Sequence, residues 1–161
     1  MESLKVIKYN NSWQGKWDEF VKSSINGTVF HCQKFLSYHP EGRFQDASLI
    51  LLKDGQVKGL FPAAAKVISE KKYLFSHPGS SQGGLVIQKD AGITQGFECL
   101  KAIINFTRDN SFDGIIIRQG ERIFHKSLAE ELDFALSYLG FQYYARELSS
   151  AVDLSGINKD D

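Results

Sequence analysis

Ala47-Ser48-Leu49-Ile50-Leu51-Leu52-Lys53-Asp54-Gly55-Gln56-Val57-Lys58-Gly59-Leu60-Phe61-Pro62-Ala63 is the stretch that decides the fold. An apolar run over 47–52 reads as a strand, Asp54-Gly55 as a tight hairpin turn, and 57–63 as the return strand. Pro62 has no N–H to give to a sheet, so it marks an edge or a bulge. Residues 66–75 follow as a third strand after a turn or bend. Upstream, 4–9 reads as a first short strand. Ser12 is placed to cap a helix in which Trp13, Trp17, Phe20 and Val21 form one apolar stripe, and Asn26-Gly27 ends it. A second short helix is expected over 31–38, with Phe35 and Leu36 inward, and 39–44 is turn-like.

Downstream, His77-Pro78-Gly79-Ser80-Ser81-Gln82-Gly83-Gly84 is a loop, and Leu85-Val86-Ile87 a short, wholly apolar strand. Asp90 opens the longest helical pattern, carried by Ile93, Phe97, Leu100 and Ile104. Residues 112–118 read as a strand, central because Ile115-Ile116-Ile117 are continuous. Ser127 and Glu130 match a capping box ahead of Leu128, Leu132, Leu136 and Leu139; Gly140 stops that helix, and 141–145 makes a last strand. Hairpins followed by alternating strands and helices predict an α/β fold: a mixed, mostly antiparallel central sheet flanked by helices. The expected organisation is one domain over 1–154 and a polar tail over 155–161.

Composition narrows the function. The 161 residues are 42% hydrophobic and 12% aromatic, enough for a substantial core. Nineteen basic side chains balance nineteen acidic ones, which argues against a general polyanion binder such as a DNA-binding protein. Residues 1–80 carry eleven basic and seven acidic groups, and 81–161 eight and twelve. No signal segment and no apolar run of membrane-spanning length is read. Cys32 and Cys99 stand far apart and the four histidines lack ligand spacing, so reduced thiols, no metal and a cytoplasmic setting are expected.

The order of elements resembles the acyl-CoA N-acyltransferase (GNAT) fold, and more specifically the amino-terminal half of the FemAB-like acyltransferases, which carry two such folds in tandem. The resemblance runs through Trp17-Asp18-Glu19-Phe20-Val21, Asn26-Gly27-Thr28-Val29-Phe30-His31, Phe35-Leu36-Ser37-Tyr38-His39 and Arg43-Phe44-Gln45-Asp46-Ala47-Ser48-Leu49. It continues through Gly59-Leu60-Phe61-Pro62-Ala63, Ser80-Ser81-Gln82-Gly83-Gly84-Leu85 and Arg146-Glu147-Leu148-Ser149-Ser150-Ala151-Val152. It implies transfer of an acyl group to an amine, or a hydroxyl, of a sugar or peptide acceptor, with acyl-CoA or another acyl thioester as donor. The alternative it carries is a non-catalytic module that binds the acceptor or a partner. A homodimer or a separate second acyltransferase fold is the implied protein partner; a small molecule, glycan or peptide is the implied acceptor. Where GNAT enzymes place a glycine-rich pyrophosphate loop, this chain has Gln88-Lys89-Asp90-Ala91-Gly92-Ile93, with a single glycine. Asp90 would repel a pyrophosphate there.

Ser80-Ser81-Gln82-Gly83-Gly84 is the leading candidate for substrate binding: the glycines permit close approach and the polar side chains supply hydrogen bonds. An ordinary strand connection is the competing reading. His77 is the candidate proton acceptor from an attacking amine, against a plain loop histidine; His31 and His39 either hold backbone or line the groove. Arg43 and Asp46 are read as a clamp for a carboxylate or sugar hydroxyl, or else a structural ion pair or loop anchor. Arg118, at a strand end, is read as an anion contact, or a charge emerging into water. Neither cysteine suggests an activated nucleophile.

Overall fold

The computed structural model describes residues 4–127, 130–148, 150 and 152. β1 (Lys5–Lys8) leads through a 3-10 turn at Asn11–Trp13 into α1 (Gln14–Ser23). Asn10 rather than Ser12 caps this start, its Oδ1 accepting the Ser12 N–H at 3.0 Å. A second 3-10 turn, Val29–His31, precedes α2 (Gln33–Leu36), which is therefore shorter than the helix expected over 31–38. The sheet strands follow: β2 (Gln45–Asp46), β3 (Leu49–Lys53), β4 (Gln56–Phe61), β5 (Ala64–Ile68), β6 (Lys71–Ser76) and β7 (Val86–Ile87). After them come α3 (Ile93–Asp109), β8 (Gly114–Ile117) and α4 (Glu131–Tyr138).

The β3–β4 hairpin turns as its sequence demands, with Asp54 at φ 52° and Gly55 at φ 72°. The strand expected over 66–75 is instead two, β5 and β6, joined by Ser69 at φ 48° and Glu70 at φ 66°. Ser-Glu carries none of the usual chemistry for a left-handed turn, so the reversal leaves no sequence signal.

The strands divide into two four-stranded sheets, β1-β3-β4-β7 and β2-β5-β6-β8. The chain passes from the first sheet to the second at Pro62-Ala63, between β4 and β5. There the Ala63 N–H donates to Ser48 Oγ at 3.1 Å and the Ala47 N–H donates to Ala63 O at 2.9 Å. Ser48 Oγ–H in turn donates to Asp46 Oδ1 at 2.7 Å, so the backbone polar groups near the break are satisfied. It crosses again between β6 and β7. β6 runs parallel to β8 as far as Ser76 opposite Ile117. Gly83 then bridges Gln119, and β7 turns away to pair antiparallel with β4.

Alternation along the strands builds two cores. Leu49, Leu51, Phe61, Leu85 and Ile87 face Cys99, Leu100 and Ile103 of α3. Ile50, Leu60 and Val86 face Trp17, Phe20 and Val21 of α1. Trp17 is fixed further: its Nε1–H donates to His31 O at 2.7 Å.

Two further expectations are corrected. β8 ends its sheet rather than occupying the centre, and its residues are half-buried; a continuous isoleucine run does not distinguish an edge strand from a central one. Residues 141–145 form no strand, and Tyr143 and Tyr144 are 76% and 93% exposed. Aromatic residues favour strands only where neighbours receive them. The helix expected to start from a Ser127–Glu130 capping box begins instead at Glu131, with Glu130 as its N-cap and no side-chain cap bond; Leu128 and the tail over 155–161 lie outside the described residues.

Candidate functional site

Where β7 leaves β8, the sheets open into a small cleft, of about 40 Å³, that is continuous with solvent. Its floor is apolar: Ile25, Leu85, Ile87, Leu100, Ile117, Leu132 and Leu136. Its polar lining is Asn26, His31, Gln119, Arg122, His125, Glu131 and Asp133, with Gly83 and Gly84 along one wall.

The glycines are there for space. A Cβ on Gly83 would stand 2.4 Å from Ser76 O, and Gly84 has φ 97°. The Gly83 N–H donates to Arg118 O at 2.8 Å, and His31 Nε2–H donates to Gly83 O at 3.1 Å. On the other side of the same ring, His31 Nδ1 accepts the Thr28 N–H at 3.1 Å. Both ring nitrogens of His31 are thus committed, and burial holds its pKa below the usual imidazole value. His31 pins the glycine wall to the Val29–His31 turn.

Gln82 is buried and ties three segments together. Its Oε1 accepts from Thr28 Oγ1 at 3.1 Å and its Nε2 donates to Glu121 Oε2. Ser80 is buried and bonds within the loop, Ser81 is exposed, and Arg118 Nη1 donates to Ser80 O at 3.2 Å. The Ser80–Gly84 loop therefore reaches the cleft through its glycines, while Ser80, Gln82 and Arg118 hold its shape.

His77 lies outside the cleft lining. Its ring stacks parallel to His39 at 6.3 Å and edge-on to Phe44 at 5.2 Å. Its Nδ1 accepts the Gly79 N–H at 3.2 Å, which leaves the ring no basic lone pair on that side. Burial, and then the neighbouring His39, lower its pKa to about 4. Arg43 and Asp46 form no ion pair among the described residues: Arg43 lies over the Phe44 ring and Asp46 accepts from Ser48.

The mouth is made by side chains with no motif in the sequence. Arg122 pairs with Glu130 and Asp133, and Gln119 Nε2–H donates to Asp133 Oδ1 at 2.9 Å. His125 Nδ1 is buried and finds no hydrogen-bond partner among the described residues. Burial lowers the His125 pKa and Arg122 lowers it too, against Asp133, which raises it. His125 is therefore a neutral imidazole at neutral pH, on the wall of the cleft.

Asn26, read from sequence only as a helix stop, closes one edge of the cleft. Its Nδ2–H donates to Leu85 O at 2.7 Å and its Oδ1 accepts the Ile87 N–H at 3.1 Å. The Ile25 N–H donates to Ile87 O at 3.2 Å, and Ile25 O accepts the Lys126 N–H at 2.9 Å. Two residues of this chain thus stand where a further strand would pair with β7.

No family model matches the chain, and no curated protein matches it. Solved structures do. A GNAT family acetyltransferase of Staphylococcus aureus is 15% identical, aligned over 91% of this chain and 100% of its own, with a TM-score of 0.52. An aminoglycoside N-acetyltransferase, AAC(6′)-Iy, in complex with CoA is 12% identical over 92% and 94%, with a TM-score of 0.55. The fold is that of the GNAT acetyltransferases. The I68M mutant of a Thermus thermophilus protein is similar as well, at 13% identity over 92% of this chain and 96% of its own, with a TM-score of 0.55. 

The GNAT fold raises the question of an acyl-CoA. Its pantetheine arm is a chain of amides, and such a chain is held best by the free backbone groups of a strand edge. Here the cleft-facing edge of β7 is taken by Ile25 and Asn26. The α3 N-terminus has Gly92 at the cap without a side-chain cap, but Asp90 stands two residues before it. These residues do not fit an acyl-CoA as they stand. Among the described residues no group of three or more His, Cys, Asp or Glu side chains is placed to hold a metal, and no helix is long and apolar enough to cross a membrane. Cys32 and Cys99 are free thiols; burial and the Glu98 charge push Cys99 up to about 12, far from thiolate character.

Proposed function

We propose that this chain serves acyl transfer to an amine, or a hydroxyl, of a sugar or peptide acceptor, as the FemAB-like branch of the GNAT fold does. The observation that carries it is the cleft between β7 and β8, with its apolar floor below an acidic mouth that contains a neutral histidine. Glu131 and Asp133 suit an ammonium group, which gives up one proton to solvent to become the attacking amine, and the floor suits an acyl chain.

The acceptor amine attacks the carbonyl carbon of an acyl thioester. A C–N bond forms, the C–S bond breaks, and the sulfur leaves as thiolate. His125 takes the proton that the amine sheds and returns it to the thiolate as a thiol. The proton acceptor in this reading is His125 rather than His77. The protein supplies orientation rather than a covalent intermediate.

The test is mass spectrometry of glucosamine and of a lysine-bearing tripeptide incubated with the chain and S-ethyl thioacetate, a donor with no amide arm. One acetyl group added to the amine, with rate lost in His125→Gln, is expected. Equal acetylation with and without the protein would sink the reading.

A second reading is favoured by the occupied β7 edge. The chain then holds the acceptor while a second copy or a separate second acyltransferase fold presents the donor. Transfer that appears only when the second fold is added would select it.

A further inference from the structure

We propose, resting on the acyl-transfer reading, that Asn26 sets donor preference in the cleft, by filling the cleft-facing edge of β7 and denying donors that carry an amide arm the pairing they would gain there. The chemistry is one of competition for the same backbone groups. Leu85 O, Ile87 N–H and Ile87 O are the groups that β7 turns toward the cleft. Its other face is spent on β4, through Gly59 opposite Ile87 and Leu60 opposite Val86. An incoming amide chain gains affinity only by pairing with those three groups.

A primary carboxamide offers one donor and one acceptor at the spacing of a peptide unit. Asn26 uses both, donating to Leu85 O at 2.7 Å and accepting from Ile87 N–H at 3.1 Å. The backbone of Ile25 completes the strand mimic: its N–H donates to Ile87 O and its C=O accepts from Lys126. Lys126 belongs to the segment that leads to the cleft mouth, so the gap between the diverging strands is stitched across by one residue. At Gly27, where this stitch begins, the chain leaves no room for a side chain. A Cβ there would stand 2.3 Å from Val21 O, and its N–H donates to Ser24 Oγ at 3.0 Å.

Aspartate would keep the acceptor for Ile87 N–H but lose the donor and repel Leu85 O. Alanine would leave both groups open while Ile25 still held Ile87 O.

The experiment compares S-ethyl thioacetate with acetylpantetheine as donors to glucosamine, using the wild-type chain, Asn26→Ala and Asn26→Asp. Amide hydrogen exchange of Ile87 is read beside it, and protection of Leu100 and Ile103 reports that each variant is folded. The wild type is expected to use the two donors at similar rates. Asn26→Ala should favour acetylpantetheine by about tenfold, the worth of one or two net hydrogen bonds, with faster exchange at Ile87. Asn26→Asp should fall between. A wild-type protein that already prefers acetylpantetheine by tenfold overturns the proposal. So does an Asn26→Ala protein whose Ile87 exchanges faster but whose preference does not move. If no protein transfers from either donor, the acyl-transfer reading falls and pantetheine titration decides the edge alone. A shift of the Ile87 amide signal in Asn26→Ala only upholds the closed edge, and the same shift in the wild type overturns it.

Discussion

Replacing His77 by asparagine should remove a defined part of the protein's acid sensitivity. The ring is 5% exposed, wedged between His39 and Phe44, and its Nδ1 accepts the Gly79 N–H at 3.2 Å. Burial in that setting lowers its pKa from 6.5 to about 4. The unfolded chain takes up a proton there near pH 6.5, while the folded chain resists until about pH 4. Between those values the unfolded state binds more protons, so stability is whole above pH 6.5 and falls as the pH drops. At about 1.4 kcal/mol per pH unit the loss approaches about 3 kcal/mol, and about 2 kcal/mol of it has accrued by pH 5. Asparagine places an amide oxygen where Nδ1 stood, so the Gly79 bond survives without a titrating group. Urea denaturation at pH 7.5 and pH 5 measures the effect. The wild type should lose about 2 kcal/mol more than His77→Asn between the two conditions. His31 and His125 also have lowered pKa values, but they are common to both proteins and cancel in the difference. Equal losses, within about 0.5 kcal/mol, would refute the reasoning.

Three further outcomes are expected. The rate of acetyl transfer should fall as the pH drops through a value below 6.5, where His125 takes up a proton, and His125→Gln should cost about 10²–10⁴-fold in kcat and abolish that acidic limb in a pH–rate profile. Gly83→Ala should destabilise by about 1–3 kcal/mol in urea, because the new Cβ meets Ser76 O at 2.4 Å and the β6–β8 pairing has to yield. Trp17→Phe leaves His31 O without its 2.7 Å donor in a buried site, and about 1–3 kcal/mol should be lost by the same assay.

The sequence was most legible where one residue type has one use. Asp54-Gly55 announced a hairpin turn and the Trp17-Phe20-Val21 stripe the face of α1, while Pro62, read as an edge or bulge, stands where the chain passes from one sheet to the other. Ser69-Glu70 turned the chain without any such residue, held by the ladder on either side from Ala64–Phe75 to Ile68–Lys71. The cleft was half legible. Gly83 and Gly84 signalled close approach, and they do line it. The mouth was not, because Gln119, Arg122, His125 and Asp133 come together only through the path between β8 and α4. Asn26 was the most deceptive. An Asn-Gly pair after a helix has a complete local explanation as a stop, yet its carboxamide spans 59 and 61 residues to pair with Leu85 and Ile87.

The central claim is that the cleft between β7 and β8 is where an amine acceptor sits. Titration of the ¹⁵N-labelled chain with glucosamine and with a lysine-bearing tripeptide tests it most directly. The account predicts saturable shifts at Gly83, Gly84, Gln119, His125 and Asp133, weakened in Asp133→Asn, with the signals of the His39–His77–Phe44 cluster unmoved. Saturable shifts that gather at His77 and leave the cleft silent would contradict it.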